Sequence, residues 1–174
     1  YALGMILRFP NIEDEAQLRL AHQELSLDGA NFLLDAYRDD EDFSNYLERV
    51  RDSHVGENLL EGRVPATFYV AEVDGVIVGR VSIRHELNEW LAAFGGHIGY
   101  AVRPEHRRRG YAQEILRRAL EIIQHHGIQS ALLTCLDTNL GSIKVIENNG
   151  GVLEGKVEEE GVLLRRYFVP TNQI

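Results

Sequence analysis

The chain predicts a mixed α/β fold, a central and mostly antiparallel sheet of about seven strands with helices on both faces. Short β-branched runs alternate with amphipathic stretches of helical period. Asp74-Gly75 separates two such runs by a two-residue hairpin turn. Read in order, the elements are β-α-α-β-β-β-α-β-α-β-β, which calls for one sheet covered on both sides. With 174 residues, 44% of them apolar, a single domain over residues 5–174 can bury a core without crosslinks. Tyr1 to Gly4 precede the only methionine, Met5, and are set aside as a cloning remnant.

Each element has its own signature. Met5 to Phe9 is a short apolar strand ended by Pro10, and Asn11 can cap a helix with Ala16, Leu18, Leu20, Ala21 and Leu25 near helical spacing. Phe43, Tyr46, Leu47 and Val50, at i, i+3, i+4 and i+7, mark a second helix within the acidic stretch 28–64. Thr67–Val73 and Val76–Ile83 form the predicted hairpin, a loop covers about 86–96, and Ile98–Val102 is a strand stopped by Pro104. From Tyr111 to His126, Ala112, Ile115, Leu116, Ala119, Leu120, Ile122 and Ile123 define a long helix with Gly127 as its stop. Ser130–Leu136 is a strand, Asn139–Asn148 a short helix, and Val152–Val157 with Val162–Val169 a final antiparallel pair.

Charge narrows the function classes. The net charge of −9 divides into −10 over residues 1–75 (6 basic, 16 acidic) and +1 over 76–174 (12 basic, 11 acidic). A duplex-binding protein needs a basic stripe, so nucleic acid is not an expected partner. Cys135 is the only cysteine, which rules out an internal disulfide and a multi-thiolate zinc site, and no metal is expected. No apolar run approaches a membrane span, so no membrane partner is expected and the expected compartment is cytoplasmic.

Arg103, Arg107, Arg108 and Arg109 fall within seven residues of this acidic chain. They lie at a strand–helix junction, where unpaired main-chain N–H groups and the positive end of a helix dipole suit a phosphate. Gly110 permits close backbone approach, and small Ala112 leaves the first helical turn uncovered. The segment reads as an anion cradle; the alternative is a basic helix entrance facing water. No Gly-Lys-Ser/Thr tripeptide is present, and Gly95, Gly96 and Gly99 lie before or inside a strand rather than after one, so P-loop and dinucleotide readings fail.

Arg107-x-x-Gly110-x-Ala112 resembles the Gln/Arg-x-x-Gly-x-Gly/Ala motif of the GCN5-related N-acetyltransferase (GNAT) superfamily. Ile98 to Glu105 is similar to the strand and bulge before that motif, Tyr111 to Glu114 to the helix after it, and Asn139, Ser142 and Gly150 to the second motif. The Gly99-Tyr100 pair and the helix entrance are similar to the branch of ribosomal-protein N-terminal acetyltransferases. The resemblance implies the GNAT fold, with the sheet splayed between Ile98–Val102 and Ser130–Leu136, and acetyl-CoA as cosubstrate. It further implies that main-chain groups of Tyr100, Ala101 and Val102 pair with the pantetheine arm. Arg107, Arg108, Arg109, Gly110, Tyr111 and Ala112 would then hold the pyrophosphate, with Asn139 and Ser142 near the acetyl end. Asn139 also suits a helix N-cap.

The implied reaction is direct attack of a primary amine, of a small molecule or a protein N-terminus, on the thioester. It needs a neutral amine and a proton for the leaving thiolate. The family's usual tyrosine acid falls here at Ile146, which leaves Ser142, a water or a tyrosine from elsewhere. His97 and then Glu86 are the candidate bases, His97 reading equally as a surface histidine; Asp137 can be a turn residue, and Cys135 reads as core rather than nucleophile. Acidic walls in the first half would attract an amine, although Asp39-Asp40-Glu41-Asp42 reads as a solvated helix start. Trp90, Phe94 and Tyr100 either line the acceptor pocket or pack. A chain lacking the usual acid also fits an acyl-CoA-binding regulatory module with lost catalysis. Val162–Val169 is a candidate edge for pairing between subunits, so both monomer and homodimer are open.

Overall fold

A computed structural model describes residues 4–172. Residues 1–3 of the set-aside leader lie outside the described residues. The predicted order of elements is found: β1 (Met5–Arg8), α1 (Glu15–Ser26), α2 (Phe43–Val55), β2 (Ala66–Val73), β3 (Val76–Arg84), β4 (Ile98–Val102), α3 (Tyr111–Gln124), β5 (Ser130–Leu136), α4 (Leu140–Asn148), β6 (Val152–Glu159) and β7 (Val162–Pro170). Asn11 does act as a cap, accepting from Glu13 N–H at 2.9 Å, but the turn it caps is a 3-10 segment, Ile12–Asp14, that runs directly into α1. Within the predicted loop, Leu91–Gly95 forms a π-helical turn whose first N–H donates to Asn88 Oδ1 at 2.9 Å.

The strands form two antiparallel sheets, in the orders β1-β2-β3-β4 and β5-β7-β6. Helices cover both faces of the first sheet, each with its own apolar cluster. Leu18, Ala21 and Leu25 of α1 pack with Phe43, Tyr46, Leu47 and Val50 of α2 against Phe68, Val70 and Ile77. Ile115, Leu116, Ala119, Leu120 and Ile123 of α3 pack against Val81, Ile83 and Ile98 on the opposite face, and continue to Ala131, Leu133 and Tyr167 of the second sheet. Because β7 lies between β5 and β6, Val162–Val169 is an interior strand and not a free edge, which corrects the pairing expectation.

β4 and β5 form no ladder with each other. They are joined where His97 N–H donates to Leu132 O (2.7 Å) and Leu132 N–H donates to His97 Nδ1 (2.9 Å). Gly96 makes this approach possible, since with φ at +70° a Cβ on it would come within 2.4 Å of Leu132 O. Beyond Ile98, β4 pairs only with β3. Its other edge faces the gap between the sheets.

Candidate active site

The junction after β4 is shaped by local backbone. A 3-10 turn over Pro104–His106 leads to Arg107–Gly110, in which Arg108 (φ 61°) and Gly110 (φ 83°) are left-handed. Such turns aim successive N–H groups into one concavity. Gly110 is the N-cap of α3, and no side chain caps that helix. Its first ladder bond runs from Glu114 N–H to Gly110 O at 3.2 Å, so the N–H groups of Tyr111, Ala112 and Gln113 lie ahead of the ladder. Arg107, Arg108 and Arg109 are exposed, and Arg107 Nε donates to Val102 O at 3.1 Å. Main-chain N–H groups, a positive helix end and exposed guanidinium groups together suit a pyrophosphate.

A cleft of about 1140 Å³ extends from this junction along the free edge of β4 to the start of α4. Tyr100, Ala101, Val102, Arg107, Arg108, Gly110, Tyr111, Ala112, Asn139 and Ser142 all line it. Of the cofactor residues expected from sequence, Arg109 is the one outside the lining. Lys144 and Gln113 line it as well and were not predicted; a lysine on a helix otherwise read for its Asn and Ser carried no motif signal. Arg103 is part of the scaffold, buried and paired with both carboxylate oxygens of Glu24 at 2.9 and 3.0 Å.

At the far end, the Tyr100 hydroxyl donates to Ser142 Oγ at 3.2 Å, and Ser142 N–H donates to the Asn139 Oδ1 that caps α4 at 3.1 Å. Burial pushes the Tyr100 hydroxyl up to about 12, so it keeps its proton at neutral pH. Ile146, at the family's tyrosine position, is buried in the core, 1% exposed. The Cys135 thiol is raised by burial, which leaves it protonated and a poor nucleophile.

The two expected bases are placed elsewhere. His97 is 8% exposed, absent from the cleft lining, and engaged through Nδ1 with Leu132 N–H. A backbone N–H can only donate, so the neutral ring carries its proton on Nε2 and offers no free lone pair. Burial, and then the charge of Arg84, lower its pKa and hold it neutral. It clips the sheets together, neither surface residue nor free base. Glu86 is exposed on the loop after β3 and is also absent from the lining. Asp137 pairs with Lys156 (2.9 Å) and Arg165 (2.7 Å). Trp90 is 54% exposed and touches Phe94, with ring centroids 6.3 Å apart.

The acidic run beside α2 does structural work. Asp42 caps α2 through Ser44 N–H, and buried Glu41 pairs with Arg49 at 2.7 Å and accepts from Arg38 N–H at 2.8 Å. Glu41 is spent inside the fold, Asp39, Asp40 and Asp42 are exposed, and none of the four lines the cleft.

Residues 29–150 match the acetyltransferase (GNAT) family. A mycothiol acetyltransferase of Acidimicrobium ferrooxidans is 31% identical over 90 residues, 52% of this chain and 29% of that protein. The chain therefore matches under a third of the length of that relative. Among solved structures, a probable acetyltransferase superposes with a TM-score of 0.72 at 17% identity, covering 96% of this chain and 93% of that one. Mycobacterium smegmatis RimJ in complex with CoA-disulfide gives 0.69 at 18% identity, over 95% and 81%. YncA, a putative acetyltransferase from Salmonella typhimurium with its cofactor acetyl-CoA, gives 0.63 at 16% identity, over 98% and 96%. At these identities the likeness is one of fold.

Proposed function

The chain belongs to the GNAT family of acetyltransferases, and on that premise we propose that it transfers the acetyl group of acetyl-CoA to a primary amine by direct attack. The observation that carries the reading is the single cleft joining the uncapped entrance of α3 to the Tyr100–Ser142 pair across the free edge of β4. The pyrophosphate sits on the N–H groups of Arg108 to Ala112 with Arg107 and Lys144 at the rim, and the pantetheine amides pair with Tyr100 to Val102 as an added strand. Amine nitrogen bonds to the thioester carbon and the C–S bond breaks. The Tyr100 hydroxyl turns its proton from Ser142 Oγ to the departing sulfur and accepts from the Ser142 hydroxyl in exchange, where the family's usual tyrosine is missing. Glu86 and His97 both lie outside the cleft lining, so the amine proton leaves to water rather than to either side chain.

The protonated Cys135 thiol supports direct attack over an acetyl-cysteine intermediate. Thiol release from acetyl-CoA across a panel of amines, beside calorimetric binding of acetyl-CoA, tests the proposal. Binding with turnover on at least one amine is expected. Binding without turnover on any would instead support an acyl-CoA-binding module, and absence of binding would reject both.

A further inference from the structure

The face of the first sheet turned toward α1, α2 and the segment between them carries a cation excess that the cofactor cleft does not use. On β3, Arg80, Ser82 and Arg84 alternate onto this face, opposite Val81 and Ile83, which join the α3 core. Arg80 is held in place, donating to Phe32 O at 3.0 Å and Asn31 O at 2.8 Å. Arg84 is not. Its hydrogen-bond partners are the carbonyls of Gly95 and Gly96 at 3.4 and 3.5 Å, the outer limit for such a bond, and no carboxylate lies within ion-pair distance of it among the described residues.

The carboxylate whose charge reaches Arg84 is Asp35, and Asp35 is shared with Arg63 and Arg49. Arg49 is already paired with Glu41. Arg63 and Arg84 therefore share the charge of Asp35, and Arg80 is held by main-chain carbonyls alone. Burial without a carboxylate lowers Arg80 to about 10 and depresses Arg84 as well. Asp35 and Ala36 themselves are both left-handed (φ 55° and 57°), held by Arg49 donating to their carbonyls at 3.0 and 3.2 Å. Two adjacent non-glycine residues in that conformation are strained, and such strain collects where a ligand must be met.

The position of Arg84 connects this face to the reaction. Its guanidinium lies over Gly99, where a Cβ would come within 3.3 Å of a terminal nitrogen. Gly99 directly precedes Tyr100, on the opposite face of β4 from the Tyr100 ring, beside the acetyl end of the cleft. We propose that the acetyl acceptor is an amine that also bears a carboxylate, and that Arg84 binds this carboxylate. The proposal rests on the acetyltransferase reading. A largely buried guanidinium with no carboxylate in ion-pair contact among the described residues gains most from a bidentate carboxylate. An acceptor bearing a second cation in place of the carboxylate would meet like charge at Arg84.

Two measurements on the full chain test this. In the first, the CoA-saturated protein is titrated with N-acetylated amino acids and with their carboxamides. The carboxylates are expected to bind at least tenfold more tightly, and Arg84→Gln to bring the two series within twofold of each other. In the second, kcat/KM is compared for amino acids, their amides and spermidine with acetyl-CoA. The acids are expected to lead by at least tenfold, and Arg84→Gln to remove that lead with the KM for acetyl-CoA held within twofold. Equal use or equal binding of acids and amides by the unaltered protein, binding of neither series, or a preference for spermidine, would overturn the proposal. Failure of acetyl-CoA to bind, or of every amine to be acetylated, would instead overturn the acetyltransferase reading, and the same product titration on the protein without CoA then decides the role of Arg84.

Discussion

At the entrance of α3 the groups proposed to meet ligand are main-chain N–H groups of consecutive residues, whereas on the α1/α2 side of the first sheet they are the side chains of Arg63, Arg80 and Arg84, gathered from one strand and a loop. The first arrangement is indifferent to side-chain identity except where the backbone itself requires glycine. The second depends on single side chains and on the loop that holds them. Backbone-altering substitutions should therefore be severe at the first region and side-chain truncations severe at the second.

The largest effect on acetyl-CoA affinity is expected for Gly110→Val. A β-branched residue at φ 83° is strained by about 1–3 kcal/mol and crowds the phosphate position. Acetyl-CoA affinity should fall by roughly 10–100-fold, since each 1.4 kcal/mol is a factor of ten. Arg109→Ala, a side-chain change at a residue outside the lining, should cost under about threefold, in line with the small worth of an exposed charge. Calorimetry on the two variants compares backbone with side chain directly.

Gly96→Ala tests the join between the sheets. With a Cβ 2.4 Å from Leu132 O and a left-handed φ, the substitution must displace backbone, and a loss of about 2–4 kcal/mol in urea unfolding is expected. Tyr100→Phe removes the hydroxyl and keeps the packing. It should lower kcat by about 10–100-fold, as loss of a charge-stabilising donor does, and leave acetyl-CoA affinity within about threefold.

A modest effect comes from a histidine group remote from the cleft. Thr67 Oγ1 bridges His54 Nδ1 (2.8 Å) and His85 Nε2 (2.7 Å), and the His126 ring stacks on His85 at 4.3 Å. Burial, followed by repulsion from His126 and His54, lowers His85 to about 4. The unfolded chain binds the extra proton first, so this contribution is fully present above about pH 6.5 and is lost as pH falls toward 4. After discounting for partial exposure, unfolding should become easier by about 1 kcal/mol between pH 7 and pH 4.5, and less so in His85→Asn.

The same contrast explains what the sequence revealed. The strands, the two long helices and the α3 entrance were readable because their determinants are local: alternation, helical spacing, the Asp74-Gly75 turn and the Arg107–Ala112 segment. The core stripe of α2 was found in full, with Phe43, Tyr46, Leu47 and Val50 all buried. What local pattern misses is partnership across the chain. His97 looked like a base because its partner, Leu132 N–H, is 35 residues away. Asp39 to Asp42 was legible as a helix start, but the burial of Glu41 against Arg49 of α2 was not. The Tyr100–Ser142 pair spans 42 residues and appeared only as an unassigned need for a hydroxyl.

Amide hydrogen exchange with and without acetyl-CoA tests the central claim most directly, because the proposed contacts are main-chain N–H groups. Binding is expected to slow exchange at least tenfold in residues 100–102 and 108–113, with the 31–36 segment unchanged until an acceptor carboxylate is added. Unchanged exchange at both cleft segments in the saturated protein would contradict the account.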